Sequence, residues 1–317
     1  MFAVTALDRL GIDTLVYTKR ESSSNKQNQT ADAFGFKWSK RDTYESEAVK
    51  EAARCWLLER YCGNDPRLLD DWLAGGRKLI LDAGCGAGLS ALLLFAGYLT
   101  YHDYLGVDIS NSVEVAALRF QEAGIKGDFL QANILDLPIP DESVDIIFSE
   151  GVLHHTDSTR DAILKLATKL KRAGRFLFYV YAKKALIREF TDDAIRGYLA
   201  ELSDEVAWEV LMPLTKLGAE LGKLQIELDV PDDIPYLGIK AGKIDLQRFF
   251  YWNICKAYYR PDYNLAEMNH VNFDWYRPLN CHRHTEKEIR SFCQEAGLEI
   301  ERFDSQESGF TVIARKI

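Results

Sequence analysis

Apolar positions recur along the chain with two different periods, and the places where the period changes mark out its elements. Val49, Ala52, Ala53 and Trp56 follow the i, i+3, i+4, i+7 spacing of an amphipathic helix, which Gly63-Asn64-Asp65-Pro66 ends. A shorter helix around Leu68–Leu73 runs into Gly75-Gly76. From there strands and helices alternate. Lys78–Leu81 is a short apolar run stopped by glycines, the pattern of a buried parallel strand. A helix over Leu89–Tyr98 leads to a second strand at Tyr104–Val107. Val113, Ala116, Ala117 and Phe120 face the next helix, with Gly124 near its end; strands follow at Phe129–Gln131 and Val144–Ser149. Ser158 and Asp161 form a capping box for a helix faced by Ile163, Leu164, Ala167 and Leu170 and closed at Gly174. Arg175–Tyr181 is the fifth strand. Repeated βα units of this kind imply a parallel sheet with right-handed crossovers.

Residues 183–280 break the rhythm: helical segments there are interrupted at Pro213, Pro231, Pro235 and Pro261. A stretch of about a hundred residues is too long for a structureless loop, so it is expected to be a helical insertion, acting as a substrate lid. The β/α rhythm resumes with a capping box at Thr285–Glu288, a helix face of Ile289, Phe292, Cys293 and Ala296, and strands near Leu298–Phe303 and Gly309–Ala314. Upstream, residues 21–31 are polar and aperiodic, as in a mobile linker. The expected division is an extension and linker over 1–45 serving as a second lid, an α/β core over 46–182, the insertion over 183–280, and a segment over 281–317 that completes the core. The expected fold is a doubly wound Rossmann-like sheet, mostly parallel, with an antiparallel terminal strand.

Composition narrows the partners. Hydrophobic residues make up 47% and charged residues 27%, enough for a large core. Thirty-nine basic residues against 48 acidic ones leave a net charge of −9, which disfavours nucleic acid and anionic lipid as partners. No apolar window is long enough to span a bilayer. Asp8, Arg9 and Asp13 interrupt the stretch where a secretory leader needs an apolar run. Six cysteines without a CxxC pair read as reduced thiols of a cytoplasmic protein. Cys281-His282-Arg283-His284 packs three ligand types together, but no second pair stands at zinc-site spacing, and no metal is expected.

The chemistry concentrates in Leu79-Ile80-Leu81-Asp82-Ala83-Gly84-Cys85-Gly86-Ala87-Gly88, where a strand enters a glycine-rich turn that opens a helix. Glycines let backbone approach a ligand, and a helix start offers unpaired N–H groups to a negative one. The spacing is GxGxG; the third glycine of a dinucleotide fingerprint would fall on Leu89, which counts against an NAD-dependent dehydrogenase. Asp108, closing Leu105-Gly106-Val107-Asp108-Ile109, stands where a carboxylate accepts two hydrogen bonds from a ribose diol.

These residues resemble the class I S-adenosylmethionine-dependent methyltransferases, in their small-molecule branch, which includes quinone-biosynthesis C-methyltransferases. The resemblance rests on Asp82–Gly88, on Gly106-Val107-Asp108, and on the block from Gln131 through His155. It covers 77–181 firmly and 284–317 loosely. It implies S-adenosyl-L-methionine as cofactor, with Asp82, Gly84, Cys85, Gly86 and Gly88 along its methionyl and ribose parts. Asp108 would hold the ribose hydroxyls, Ile109 and Ile134 the adenine, and Glu150 the methionyl end. Asn133 stands where the family usually has an Asp beside the adenine amino group; an amide oxygen can still accept from that amine.

The implied reaction is in-line methyl transfer to a small-molecule acceptor, for which His154 and His155 are the candidate bases where the acceptor must lose a proton. Ten of the 28 positions from Phe249 to Tyr276 are aromatic, which suits a compact acceptor, and Trp38, Tyr276 and His282 are the candidate wall residues. Two other readings stay open: a cofactor-binding protein without turnover, and a tRNA or other nucleic-acid methyltransferase.

Overall fold

A computed structural model describes residues 5–12 and 23–317. Of the stretch read as unlike a leader, only 5–12 are described, and the first two residues of the expected linker lie outside the described residues. Along the chain the helices are α1 (Ala6–Leu10), α2 (Asn25–Ser39), α3 (Glu47–Cys62) and α4 (Arg67–Leu73). Then follow β1 (Leu79–Ala83), α5 (Leu89–Phe95), β2 (Asp103–Asp108), α6 (Ser112–Glu122), β3 (Asp128–Gln131), β4 (Val144–Glu150), α7 (Thr159–Lys169) and β5 (Leu170–Tyr181). The remainder is α8 (Leu186–Ala200), α9 (Asp204–Lys223), β6 (Glu227–Val230), β7 (Gly242–Asp245), α10 (Leu246–Asn253), α11 (Leu265–Tyr276), α12 (Glu286–Glu295), β8 (Leu298–Ser305) and β9 (Gly309–Lys316).

The chain forms two units. The first holds residues up to Ser39, Glu51–Ala182 and His282–Ile317. Its sheet has the order β3-β2-β1-β4-β5-β9-β8, with β9 antiparallel to both neighbours and the other six strands running one way. Strand alternation builds two cores from one sheet. Leu79, Leu81 and Ala83 of β1 pack with Ala162, Ile163 and Leu166 of α7 and Ile289 and Cys293 of α12. Ile80, turned the other way, joins Leu57 and Tyr61 of α3, Phe95 of α5 and Phe120 of α6. Each fully buried side chain of this size contributes roughly 1.5–3 kcal/mol, so the layer order is strongly specified. Strand order reverses between β1 and β4, which places a crevice at their carboxyl ends.

Two sequence expectations change here. Where a mobile linker was expected over 21–31, Asn25–Ser39 is a helix. Gly174 does not close α7: that helix ends at Lys169, and Gly174 lies inside β5, past a register shift with Ala173 at φ 61°. Ser158 caps α7 through its side chain, accepting from the Asp161 N–H.

The second unit comprises Lys40–Lys50 and Lys183–Cys281. Its helices α8, α9, α10 and α11 are joined by an antiparallel hairpin of β6 and β7, which the expected all-helical insertion did not include. Pro213 does not interrupt α9; the helix runs through it, with the ring exposed, where water can serve the carbonyl left without its N–H partner. Thr215, Asn269 and Asn272 form a buried polar chain between α9 and α11: the Thr215 hydroxyl donates to Asn269 Oδ1 at 2.7 Å, and Asn272 Nδ2 donates to Thr215 Oγ1 at 2.8 Å.

Candidate functional site

At the carboxyl end of β1 the chain turns sharply because Gly84 takes φ +88° and Gly86 φ +50°, a region costly for residues with a side chain. The Gly84 and Cys85 N–H groups both donate to the Val107 carbonyl, at 2.7 and 2.9 Å, tying the turn to β2. A Cβ on Gly84 would enter the side chain of Val152, and one on Gly86 would stand 2.7 Å from Trp38 Nε1. The turn is therefore a cradle with no room for side chains. Gly88, at φ +73°, caps the start of α5.

Asp108 closes the cradle from β2. Its Oδ2 accepts from the Gly86 N–H at 2.9 Å, and its Oδ1 accepts from the Ser110 N–H and hydroxyl at 2.8 and 2.6 Å. Burial pushes its pKa up, opposed by these same hydrogen bonds. With two donors on Oδ1 and one on Oδ2, the remaining lone-pair capacity lies mainly on Oδ2. Asp82 lies behind the turn, where burial pushes its carboxyl up to about 7 and the Tyr104 hydroxyl, donating to Oδ2 at 2.8 Å, opposes the shift. Cys85 is buried, and burial holds its thiol well above its usual range.

Ile109 is half-buried beside Asp108, its carbonyl accepting from Gln131 Nε2. Asn133 Oδ1 accepts from the Leu135 N–H at 3.0 Å and its Nδ2 donates to Ser23 Oγ at 3.2 Å, so one lone pair of the amide oxygen is engaged in a local turn; Ile134 is buried beside it. Glu150, at the end of β4, is an ion-pair residue: Arg60 Nη1 lies 2.9 Å from Oε1, and the Tyr61 hydroxyl donates to Oε2. Arg60 is itself held between the rings of Trp56 and Tyr179, at 3.7 and 3.4 Å. Burial still pushes the Glu150 carboxyl up, against the Arg60 charge.

His154 and His155 are both buried on the short turn after β4. The His154 ring lies 3.7 Å from that of Tyr181, and the His155 ring stands edge-on to Phe34 at 4.9 Å. His282 donates its N–H to the His154 carbonyl at 2.8 Å, and its Nε2 lies 3.0 Å from the Thr156 carbonyl. Of the expected wall residues, Trp38 lies on the glycine turn and His282 beside the turn after β4. Tyr276 belongs to the core of the second unit, fully buried, its hydroxyl donating to Asp192 at 2.7 Å. Among the described residues no group of three or more His, Cys, Asp or Glu could hold a metal ion, and no helix is long and apolar enough to cross a membrane.

Sequence reading missed α2 and the pair Arg60–Tyr61. The helix touches the site three times: Gly35 against Asn111, Trp38 against Gly86, and Gln27 Nε2 donating to the His155 carbonyl at 3.3 Å. Its signal was the spacing Gln27, Thr30, Ala31, Phe34, Trp38, one helical face written mostly in polar and small residues.

A methyltransferase-domain family profile matches residues 81–178, which span the cradle, Asp108 and the turn after β4. Those residues match a methyltransferase domain. An uncharacterized methyltransferase of Bacillus subtilis (strain 168), YcgJ, is 41% identical over 100 residues, which is 31% of this chain and 38% of that protein. An O-methyltransferase of Aspergillus nomiae, rstn1, is 36% identical over 101 residues, 30% of this chain and 43% of that protein. The similarity thus spans less than half of either relative. The crystal structure of magnesium protoporphyrin IX methyltransferase from Synechocystis PCC 6803 superposes with a TM-score of 0.48 at 14% identity, covering 93% of this chain and 99% of that one. The glycine cradle and the buried Asp108 carboxylate both lie within the matched residues.

Proposed function

We propose that the chain transfers the methyl group of S-adenosylmethionine to a small-molecule acceptor. The observation that carries this reading is the pairing of the side-chain-free turn at Gly84–Gly86 with the Asp108 carboxylate at the adjoining strand end. When bound, the cofactor supplies an activated methyl group on a sulfonium, so the protein's task is orientation and exclusion of water. Gly84, Gly86 and Gly88 would take its methionyl and ribose parts, Asp108 the two ribose hydroxyls, and Ile109, Asn133 and Ile134 the adenine side. Arg60 and Tyr61 hold Glu150 in one rotamer at the methionyl end, a positioning role rather than that of a base. Trp38 covers Gly86 and would keep water from the cofactor's inner face. His154 and His155 are assigned as proton acceptors only for an acceptor atom that must lose a proton, His155 through its place beside Phe34 of α2.

The net charge of −9 favours a small molecule over nucleic acid. The test is incubation with methyl-labelled S-adenosylmethionine and, separately, a metabolite extract and total tRNA. Label entering a small product supports the proposal and identifies the acceptor. Label entering tRNA alone, or binding without transfer to either, overturns it.

A further inference from the structure

Helix α8 of the second unit has its polarity inverted. The long side chains it buries are charged: Arg188, whose Nε donates to Asp192 Oδ2 at 2.6 Å, and Arg196, whose Nη2 donates to the Trp275 carbonyl at 2.9 Å. The large residues it exposes are apolar: Leu186 at 70%, Phe190 at 77% and Tyr198 at 66% of their surface. The loop between β6 and β7 lies against the start of this helix, where a Cβ on Gly238 would stand 3.2 Å from that of Ala185, and it carries Tyr236, 80% exposed.

The buried bonds fix the roll of the helix. Turning the stripe inwards would break those that Asp192 accepts from Trp275 Nε1 at 2.8 Å and the Tyr276 hydroxyl at 2.7 Å, a costly loss in the interior. The apolar stripe is therefore held facing outwards. At about 200 Å² for a whole aromatic side chain, its three rings alone offer on the order of 450 Å², and Leu186 adds to it. That reaches the largest apolar patch of a typical monomer, about 300–600 Å². It also supplies more than half of the roughly 800 Å² that each partner of a stable dimer contributes.

Sizes along the stripe are graded. Leu186 and Phe190 are bulky, whereas Ala194 and Gly197 on the same exposed arc are small, and a Cβ on Gly197 would meet nothing within 4 Å. Phe190 and Gly197 lie about two helical turns apart. In an antiparallel pair of these helices each Phe190 meets the partner's Gly197, bulk against notch, and the two-fold axis makes the contact twice. A bilayer fits the stripe less well. Asp193, paired with Arg196, and Glu201 stand on the exposed arc, and the chain carries a net charge of −9.

We propose that the outer face of α8 docks a second copy of this chain, the two helices antiparallel about a two-fold axis with Phe190 of each seated on the partner's Gly197. The inference stands apart from the methyl-transfer reading.

Sedimentation of the full chain over a range of concentrations reads the association. Wild type should form a dimer, and Phe190→Glu should weaken it at least tenfold. Gly197→Leu separates interface from fold. It places a better helix former in open space, so it should raise the urea midpoint at concentrations where the chain is monomeric, yet weaken the dimer at least tenfold. Phe190→Ala should weaken the dimer too, and Phe190→Ala with Gly197→Phe, which exchanges bulk and notch, should restore it. A wild type that stays monomeric at every concentration would overturn the proposal, whether or not it floats with phosphatidylcholine vesicles. So would a dimer that folded Phe190→Glu and Gly197→Leu leave as tight as wild type, or single variants that the exchange fails to rescue.

Discussion

Asp108→Asn keeps the shape of the side chain and removes its charge. In the native site three donors converge on the carboxylate: Gly86 N–H on Oδ2, Ser110 N–H and hydroxyl on Oδ1. An amide offers one oxygen, so in either orientation its NH₂ faces a backbone N–H, that of Gly86 or of Ser110. A buried donor left without an acceptor costs about 1–3 kcal/mol, and this term falls on fold stability. The ribose side is affected separately. Two charge-assisted bonds become one neutral bond and one reversed donor, a net loss of about 2 kcal/mol or roughly 30-fold in affinity. Calorimetric titration with S-adenosylhomocysteine, alongside urea unfolding of the free protein, separates the two. Weaker binding together with a modest loss of stability is the expected result. Wild-type affinity in a destabilised variant would reduce Asp108 to a builder of the turn and refute the ribose assignment.

Three further outcomes follow from the same geometry. Asp82, raised to about 7 when folded against 3.8 unfolded, holds a proton between those values that the unfolded chain releases, so the folded state loses stability as pH rises from about 4 to 7. Asp82→Asn should flatten that slope and gain at pH 8, by on the order of 4 kcal/mol at most; a steeper slope in urea titrations across pH would contradict it. Gly86→Ala puts a Cβ at φ +50° and 2.7 Å from Trp38 Nε1, and should abolish cofactor binding with a loss of about 1–3 kcal/mol. Adding Trp38→Ala should recover part of the stability, and strict additivity in that double-mutant cycle would dismiss the contact. Tyr276→Phe takes one donor from the buried Asp192 and should cost about 1–3 kcal/mol in urea unfolding while leaving S-adenosylhomocysteine affinity unchanged.

The first unit was largely legible because its signals are periodic and its punctuation is glycine. Leu79–Ala83, Asp103–Asp108 and Val144–Glu150 are buried on both faces, so their apolar runs stand out, and the Thr285–Glu288 capping box is present as read. The misses have physical reasons. Helix α2 buries Gln27, Thr30 and Lys37, which score as surface, so its face was hidden in polar residues. The β6–β7 hairpin is short, charged and largely exposed, so neither packing nor hydropathy announced it. Arg60 and Glu150 meet across ninety positions of chain, a contact that pattern reading has no means to find.

The antiparallel place of β9 beside β5 has a consequence for biosynthesis. β5 ends at Tyr181, while the strand that covers its free edge begins only at Gly309. At ordinary elongation rates of about 5–20 residues per second, that edge waits on the order of ten seconds for its partner. The waiting segment, Phe176-Leu177-Phe178-Tyr179-Val180-Tyr181, is uncharged, aromatic and rich in strand formers, the makeup of an aggregation-prone window. Lys171, Arg172 and Arg175 on one flank and Lys183 and Lys184 on the other act as gatekeepers during that interval. Ribosome-bound chains stopped before residue 309 should therefore depend on a chaperone that shields open strand edges, and chains extended through Lys316 should not.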